Sequence, residues 1–303
     1  MRGGTLSEKP AETEENMFHI GMTQWIVGDE PLAVSCERLK RCGYNGIEFA
    51  AEPYRMDAGE CRSLLEKYGL DCRSLCGIFD ESRDLTADGE AGERAVQYIR
   101  DSVDFAAGVG AKIMIVVPSP VGRCVKPEGL SMERLTENAV GNVRKAADYA
   151  LEKGVTLAVE AINRYETYFV NTIAKGLDFV KRVNHPAVGM MADLFHMNIE
   201  EAGLVDSLYR MRDELVHVHI ADNTREAAGM GHIDFKEVLR ALQRIGYEGS
   251  LTMEFMYRLS DPYSAAGIST QTGRMDRYAK QAIDYIRMTE ESIQNFESEE
   301  EVR

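Results

Sequence analysis

EKGVTLAVEAINRYE, residues 152–166, reads as the end of a helix, a glycine, a short buried strand and a carboxylate at the strand's exit. Gly154 provides the positive-φ residue on which helices commonly close. Thr156–Ile162 is short and almost wholly apolar, the pattern of a strand covered on both faces. The same phrase returns as RCGYNGIEF (41–49), KYGLDCRSL (67–75), GVGAKIMIV (108–116) and RIGYEGSLT (244–252). Working outward, eight such runs appear: HIGMTQ from His19, GIEFAA from Gly46, DCRSLCGI from Asp71, KIMIVVP from Lys112, TLAVEAI from Thr156, VGMMADL from Val188, LVHVHIAD from Leu215 and SLTMEF from Ser250. Amphipathic stretches fill the intervals. One is expected to have Pro31 at its first helical position, a long one to start at Gly92, and others to end on Gly154 and Gly246. Strand–helix alternation predicts a parallel sheet. Eight units without a linker predict a single-domain α/β fold, the (β/α)8 TIM barrel. An open doubly wound sheet would carry a glycine-rich turn after its first strand, and WIVGDEP (25–31) has none.

The length of 303 residues would allow two domains at about 150 residues each, but a closed barrel takes about 250 as one. The expected division is a polar tail at 1–16, the barrel at 17–297 and an acidic tail at 298–303. With 35 Lys and Arg against 50 Asp and Glu, the net charge of -15 repels a phosphate backbone and disfavours nucleic acid. At 44% hydrophobic residues the chain can build a large core. No apolar run approaches the roughly 18 residues of a membrane span. The first residues lack the apolar centre of a secretion signal, and none of the six cysteines forms a C-x-x-C pair. Reduced thiols and a cytoplasmic location are therefore expected.

A barrel of this kind places its chemistry at the C-terminal strand ends. There the fifth run offers Glu160, the sixth Asp193, the seventh His217 and His219 on one face, and the eighth Glu254. Converging carboxylates in an apolar barrel mouth would repel one another and be costly unless paired. A divalent cation resolves both problems; three oxygen donors and an imidazole suit Mn²⁺, Mg²⁺ or Co²⁺. Each residue also has a plain structural alternative: an ion pair for Glu160, a turn cap for Asp193, a packing role for His217. The succession on four strands is what favours a site. Glu166, His196 and Arg225 follow on the loops above, with salt bridges such as Arg225 to Glu226 or Asp222 as their alternative. Asp234 is placed to cap the next helix. No Lys/Arg cluster at the mouth marks a phosphate, so an unphosphorylated substrate is expected.

VEAINRYETYFVNT (159–172), ADLFHMNIEE (192–201) and HVHIADNTREAAGMGHIDF (217–235) resemble the xylose-isomerase-like sugar isomerases and epimerases, most closely the D-tagatose and D-psicose (allulose) ketose 3-epimerases. The resemblance spans the barrel from about His19 to the final helix. It implies metal ligation, usually of manganese, by Glu160, Asp193, His219 and Glu254, and substrate contacts from Glu166, His196 and Arg225. Trp25 stands where these epimerases set aromatics against the sugar. Departures are Leu194 in the D-T-F-H motif, Thr224 before the arginine, and an unfamiliar segment after Glu254. The implied reaction inverts C3 of a free ketose through a cis-enediolate, with Glu160 and Glu254 as opposed proton carriers. Such enzymes form dimers or tetramers, so a homo-oligomer is expected. The alternatives keep the metal. They are an aldose–ketose or keto-inositol isomerase, a C-glycoside deglycosidase catalytic subunit with a small partner, and a non-catalytic sugar-binding scaffold.

Overall fold

Each of the eight apolar runs forms one strand, and the strands pair in chain order, all parallel, until the last returns to the first. The structure, a computed structural model, describes residues 16–256 and 272–301. The barrel consists of β1 (His19–Thr23), β2 (Gly46–Ala50), β3 (Ser74–Cys76), β4 (Ile113–Val116), β5 (Thr156–Val159), β6 (Val188–Asp193), β7 (Leu215–Ile220) and β8 (Ser250–Met253). Around it lie α1 (Leu32–Cys42), α2 (Ala58–Tyr68), α3 (Glu90–Val109), α4 (Met132–Lys153), α5 (Ile173–Val183), α6 (Leu194–Glu200), α7 (Leu204–Met211), α8 (Phe235–Arg244) and α9 (Thr272–Glu301). No helix among the described residues is long and apolar enough to cross a membrane.

The expected helix signals act largely as read. Gly154 closes α4 at φ 68°, returning its N–H to the carbonyls of Ala150 and Leu151. Asp234 caps α8 by accepting from the Glu237 N–H. Two starts differ. Pro31 holds an extended ψ of 129° and stands just before α1, and α3 opens at Glu90 ahead of Gly92. β3 begins at Ser74, later than Asp71, whose side chain is engaged with His19. α9 runs through Glu301, so the start of the expected acidic tail is helical. Residues 1–15 of the expected N-terminal tail, and 257–271 after β8, lie outside the described residues.

The core divides at the sheet. Its larger part fills the space between strands and helices, where Phe49, Leu75, Met114, Leu157 and Leu251 are fully buried. A smaller cluster of Cys76, Ile115, Ala158 and Met191 fills the barrel interior, as the inward positions of alternate strands require. At the end away from the expected chemistry, His19 joins three segments. Its Nδ1 lies 2.8 Å from the Ser250 hydroxyl of β8 and its Nε2 2.7 Å from Asp71. Near the other end, buried Arg38 of α1 donates to both Glu30 oxygens and to Asp276 of α9. This anchors the segment leading from β1 to the final helix.

Gly77, just after β3, faces β4 so closely that a Cβ would collide with the Ile115 carbonyl and the Phe79 ring. The first obstacle is backbone and has little freedom to yield. Gly77→Ala is therefore expected to cost about 1–3 kcal/mol, the usual range for overpacking, measured from the denaturation midpoint. An unchanged midpoint would show that β3 and β4 can part there.

Candidate metal centre and active site

Glu160 and Glu254 each follow directly on a strand, and their own N–H groups still pair with it. Glu160 N–H donates to Val116 at 3.0 Å and Glu254 N–H to Ile220 at 2.9 Å. Ladder hydrogen bonds thus hold both side chains where the sheet ends. β6 needs a correction of register. Met190 pairs with Leu215, but the next residue, Met191, pairs with His217, so that Asp193 lies opposite His219. A regular register would have set Asp193 against Val218. Because facing alternates with every residue, this irregularity brings the acid and the imidazole to the same side of the sheet.

The four expected ligands meet in two overlapping groups. Glu160, Asp193 and His196 have ligand atoms within 4.8 Å of one another, as do Asp193, His219 and Glu254. Asp193 belongs to both, and it also acts as the expected cap. Its Oδ1 caps α6, accepting from the N–H groups of Phe195 and His196 at 2.8 and 3.1 Å. Its Oδ2 lies 3.9 Å from both His196 Nε2 and His219 Nδ1. His219 Nδ1 is 2.8 Å from Glu254 Oε2. Glu160 makes no side-chain hydrogen bond among the described residues; its ion-pair contact is His196 Nε2, at 3.8 Å.

Arg225 lies deeper than the sequence suggests. Its guanidinium pairs with neither Asp222 nor Glu226. Its Nη1 donates to both Asp193 oxygens at 2.7 and 2.9 Å, and its Nη2 to Glu254 Oε2. Asp222 instead accepts from the backbone N–H groups of Asn223, Gly229 and Ile233, and Glu226 from Thr224 and Tyr278. The guanidinium lies over the Phe195 ring, 4.6 Å from its centroid. Two buried carboxylates draw the nearest permanent cation inward. The backbone of Arg225 takes φ 61°, a left-handed conformation that a non-glycine residue adopts at a cost and that clusters at functional sites.

The electrostatics follow from this crowding. Burial, then the charges of Glu254 and Asp193, push the Glu160 carboxyl well above its ordinary range. Burial also opposes ionisation of Asp193, but the charge of Arg225 outweighs it and holds this carboxyl low. Burial works against a charged His219, yet Glu254 and Glu48 raise its pKa well above the ordinary value. Three carboxyl groups and one imidazole thus converge in a buried pocket, a donor set rich in hard oxygens whose crowding shows in the raised Glu160 carboxyl. Such a set fits a divalent cation held by Glu160, Asp193, His219 and Glu254.

His196 differs from His219. The Asn163 side-chain nitrogen donates to Glu166 Oε1 and to His196 Nδ1, at 2.8 Å each. His196 Nδ1 is therefore an acceptor, and its proton sits on Nε2, facing Glu160 and Asp193. Burial lowers its pKa to about 3, which keeps the ring neutral. A neutral Nε2–H is a donor for a substrate oxygen and is not free to ligate. Asn163 is thus part of the site although the sequence reading passed over it; its place in the N-R-Y-E motif was the available signal. Glu48 was also missed. This single acid in GIEFA of β2 lies buried in the barrel interior within 2.9 Å of both His217 and His219. It is the same signal that singled out Glu160. His217, as its packing alternative suggested, sits behind His219 and bonds Glu48.

A cavity of about 320 Å³ opens over these groups, within the usual size of small-molecule sites. It is lined by the polar Glu160, Glu166, His196, Arg225 and Glu254 and by the apolar Ile78, Phe79, Val117, Val121, Ile162 and Met256. Trp25 also lines it, and its indole N–H donates to Glu254 Oε1 at 2.6 Å. The sequence suggested only ring packing. Hydrogen bonds to charged groups contribute about 1.5–3 kcal/mol, so Trp25→Phe, which keeps the ring and removes the donor, should lower kcat by about tenfold or more. Steady-state kinetics with an unchanged kcat would show that this bond is not used in turnover.

Residues 36–287 match the family described as Xylose isomerase-like TIM barrel. An L-ribulose 3-epimerase of Methylomonas sp. (strain DH-1) is 33% identical over 226 residues, 73% of this chain and 78% of that protein. A ketose 3-epimerase of Arthrobacter globiformis is 29% identical over 227 residues, 74% and 78% of the two chains. Among solved structures, D-allulose 3-epimerase from Methylomonas sp. in complex with D-allulose superposes with a TM-score of 0.77 at 27% identity, covering 91% of this chain and 98% of that one.

Proposed function

The chain belongs to the xylose isomerase-like TIM-barrel family and, within it, to the ketose 3-epimerases, and from that premise we propose that it inverts C3 of a free ketose of the D-psicose or D-tagatose type. It is an isomerase-class enzyme dependent on a divalent metal, for which we favour Mn²⁺. The observation that carries this reading is the pair Glu160 and Glu254, directly after strands β5 and β8, lining one cavity, with Asp193 of β6 and His219 of β7 between them in the ring of strands.

Glu160, Asp193, His219 and Glu254 would hold the cation, which when bound would supply Lewis acidity and make the proton beside the sugar's carbonyl easier to remove. Inversion requires a proton to leave one face of C3 and another to arrive on the opposite face. A single fixed carboxylate reaches one face, so two are needed. One glutamate takes the C3 proton, the electron pair moves into the C2–C3 bond as the enediolate forms, and the other glutamate returns a proton from the far side. The roles exchange in the reverse direction. His196 Nε2–H and Arg225 donate to the oxygens at the C1–C2 end, where negative charge develops, and Glu166 accepts from a sugar hydroxyl. The apolar residues of the lining, Phe79, Val117 and Ile162 among them, would limit water at the intermediate.

The reading is tested by incubating the Mn²⁺-loaded protein with D-psicose, D-fructose, D-tagatose and D-sorbose and separating the products by chromatography. The expected result is formation of the 3-epimer of at least one sugar, abolished by a chelator and restored by Mn²⁺. Conversion to an aldose instead would make the enzyme an aldose–ketose isomerase.

A further inference from the structure

The barrel interior holds a buried carboxylate that the proposed reaction does not use. Glu48 reaches from β2 across the barrel to β7. It accepts from the Ser74 hydroxyl at 2.6 Å, from His217 Nε2 at 2.9 Å and from His219 Nε2 at 2.9 Å. We infer that Glu48 is a positioning residue that dictates which nitrogen of His219 faces the metal centre. This rests on the assignment of His219 as a ligand in the preceding section.

The argument is one of proton placement. An ionised carboxylate only accepts, so the protons in these contacts lie on the imidazole nitrogens and the Ser74 oxygen. Both ring nitrogens of His219 face a carboxylate, but only Nδ1 faces one of the ligand set. A cation bound there would replace the Nδ1 proton, leave the one that Glu48 holds on Nε2, and be ligated by Nδ1. That nitrogen lies 2.8 Å from Glu254 Oε2 and 3.9 Å from Asp193 Oδ2. Histidine ligates through an unprotonated nitrogen, and the partner of its other nitrogen fixes the tautomer and the ring's orientation. Glu48 is itself fixed by two groups outside the ligand set. Ser74 Oγ and His217 Nε2 both bond its Oε2, and the His217 ring stands at 78° to that of His219 with centroids 5.1 Å apart. The three side chains Glu48, His217 and His219 also lie close enough to suggest a second cation site. The Ser74 hydroxyl already occupies Glu48 Oε2, and a cation there would claim the His219 nitrogen opposite the mouth. The hydrogen-bonded arrangement accounts for all three side chains without one.

Glu48→Gln in the full chain tests this. The amide keeps one acceptor oxygen where the carboxylate had two, so it cannot accept from both histidine Nε2–H groups, and the hold on the His219 tautomer weakens. Mn²⁺ affinity measured by titration calorimetry is expected to fall about 10–100-fold, while kcat at saturating Mn²⁺ returns to within a few-fold of wild type. A second measurement needs no variant. Long-range ¹H–¹⁵N spectra of the ¹⁵N-labelled wild-type chain loaded with Mg²⁺ should place the His219 proton on Nε2. Unchanged Mn²⁺ affinity in a folded Glu48→Gln protein would overturn the inference. So would a proton on Nδ1 in the Mg²⁺-loaded wild type, or two Mn²⁺ per wild-type chain falling to one in the variant. If Glu48→Gln does not fold, the wild-type spectrum decides. A wild-type chain that binds no Mn²⁺ would sink the metal-centre assignment together with this inference, whereas normal wild-type binding with an indifferent variant sinks the inference alone.

Discussion

Glutamine in place of Glu254 is expected to lower kcat for C3 epimerisation by about 10²–10⁴-fold, the range in which a positioned acid or base contributes. Glutamine keeps the size of the side chain and a carbonyl oxygen for the cation, but it cannot carry the proton. Glu160→Gln should fall by a similar factor, for the same reason on the other face of C3. The double variant should be scarcely worse than either single one, because one missing carrier already stops inversion and residues acting as a unit are not additive. Steady-state rates at saturating Mn²⁺, with bound metal measured alongside, separate lost proton transfer from lost ligation. A Glu254→Gln protein that binds Mn²⁺ and keeps more than a tenth of wild-type kcat would contradict the two-carboxylate account.

Arg225→Met should make folding depend on the metal. In the structure the guanidinium bonds both Asp193 oxygens and one Glu254 oxygen, all buried. Removing one partner of a buried charged network costs about 3–5 kcal/mol, because the remaining charges stay uncompensated. Methionine fills most of the volume, so the loss is chiefly electrostatic. The metal-free variant should therefore melt several degrees below the metal-free wild type. Mn²⁺ should raise the variant's Tm by more than it raises that of the wild type, since a cation replaces the missing positive charge. Thermal melts of both proteins with chelator and with Mn²⁺ give the comparison. Equal increments would mean that Arg225 and the cation do not share the same carboxylates.

The barrel was legible because its signal is local. Each helix end, glycine and apolar run lies within about ten residues, and all eight runs became strands. Glu160, Asp193, Glu254 and His219 were legible as candidates for a related reason: a charged residue in an apolar run needs a partner. What escaped was set by contacts between distant segments. Glu48 has the same sequence signature as Glu160, but its partner is His219, 171 residues away. The inward turn of Arg225 depends on Asp193 and Glu254 lying on either side of its guanidinium, which no spacing states. Trp25 showed as an aromatic; that its N–H reaches Glu254 depends on how the turn after β1 sits over the mouth. The register change in β6 was equally hidden, since it appears only against β7.

The central claim is that this site exchanges the C3 proton of a ketose between two faces. Proton NMR of the Mn²⁺-loaded protein with D-psicose or D-tagatose in D₂O, quenched with chelator and freed of metal before the spectrum is taken, tests it most directly. The account predicts deuterium at C3, with the 3-epimer appearing alongside and C1 unexchanged. Deuterium at C1, or no exchange in any ketose despite a bound cation, would contradict it.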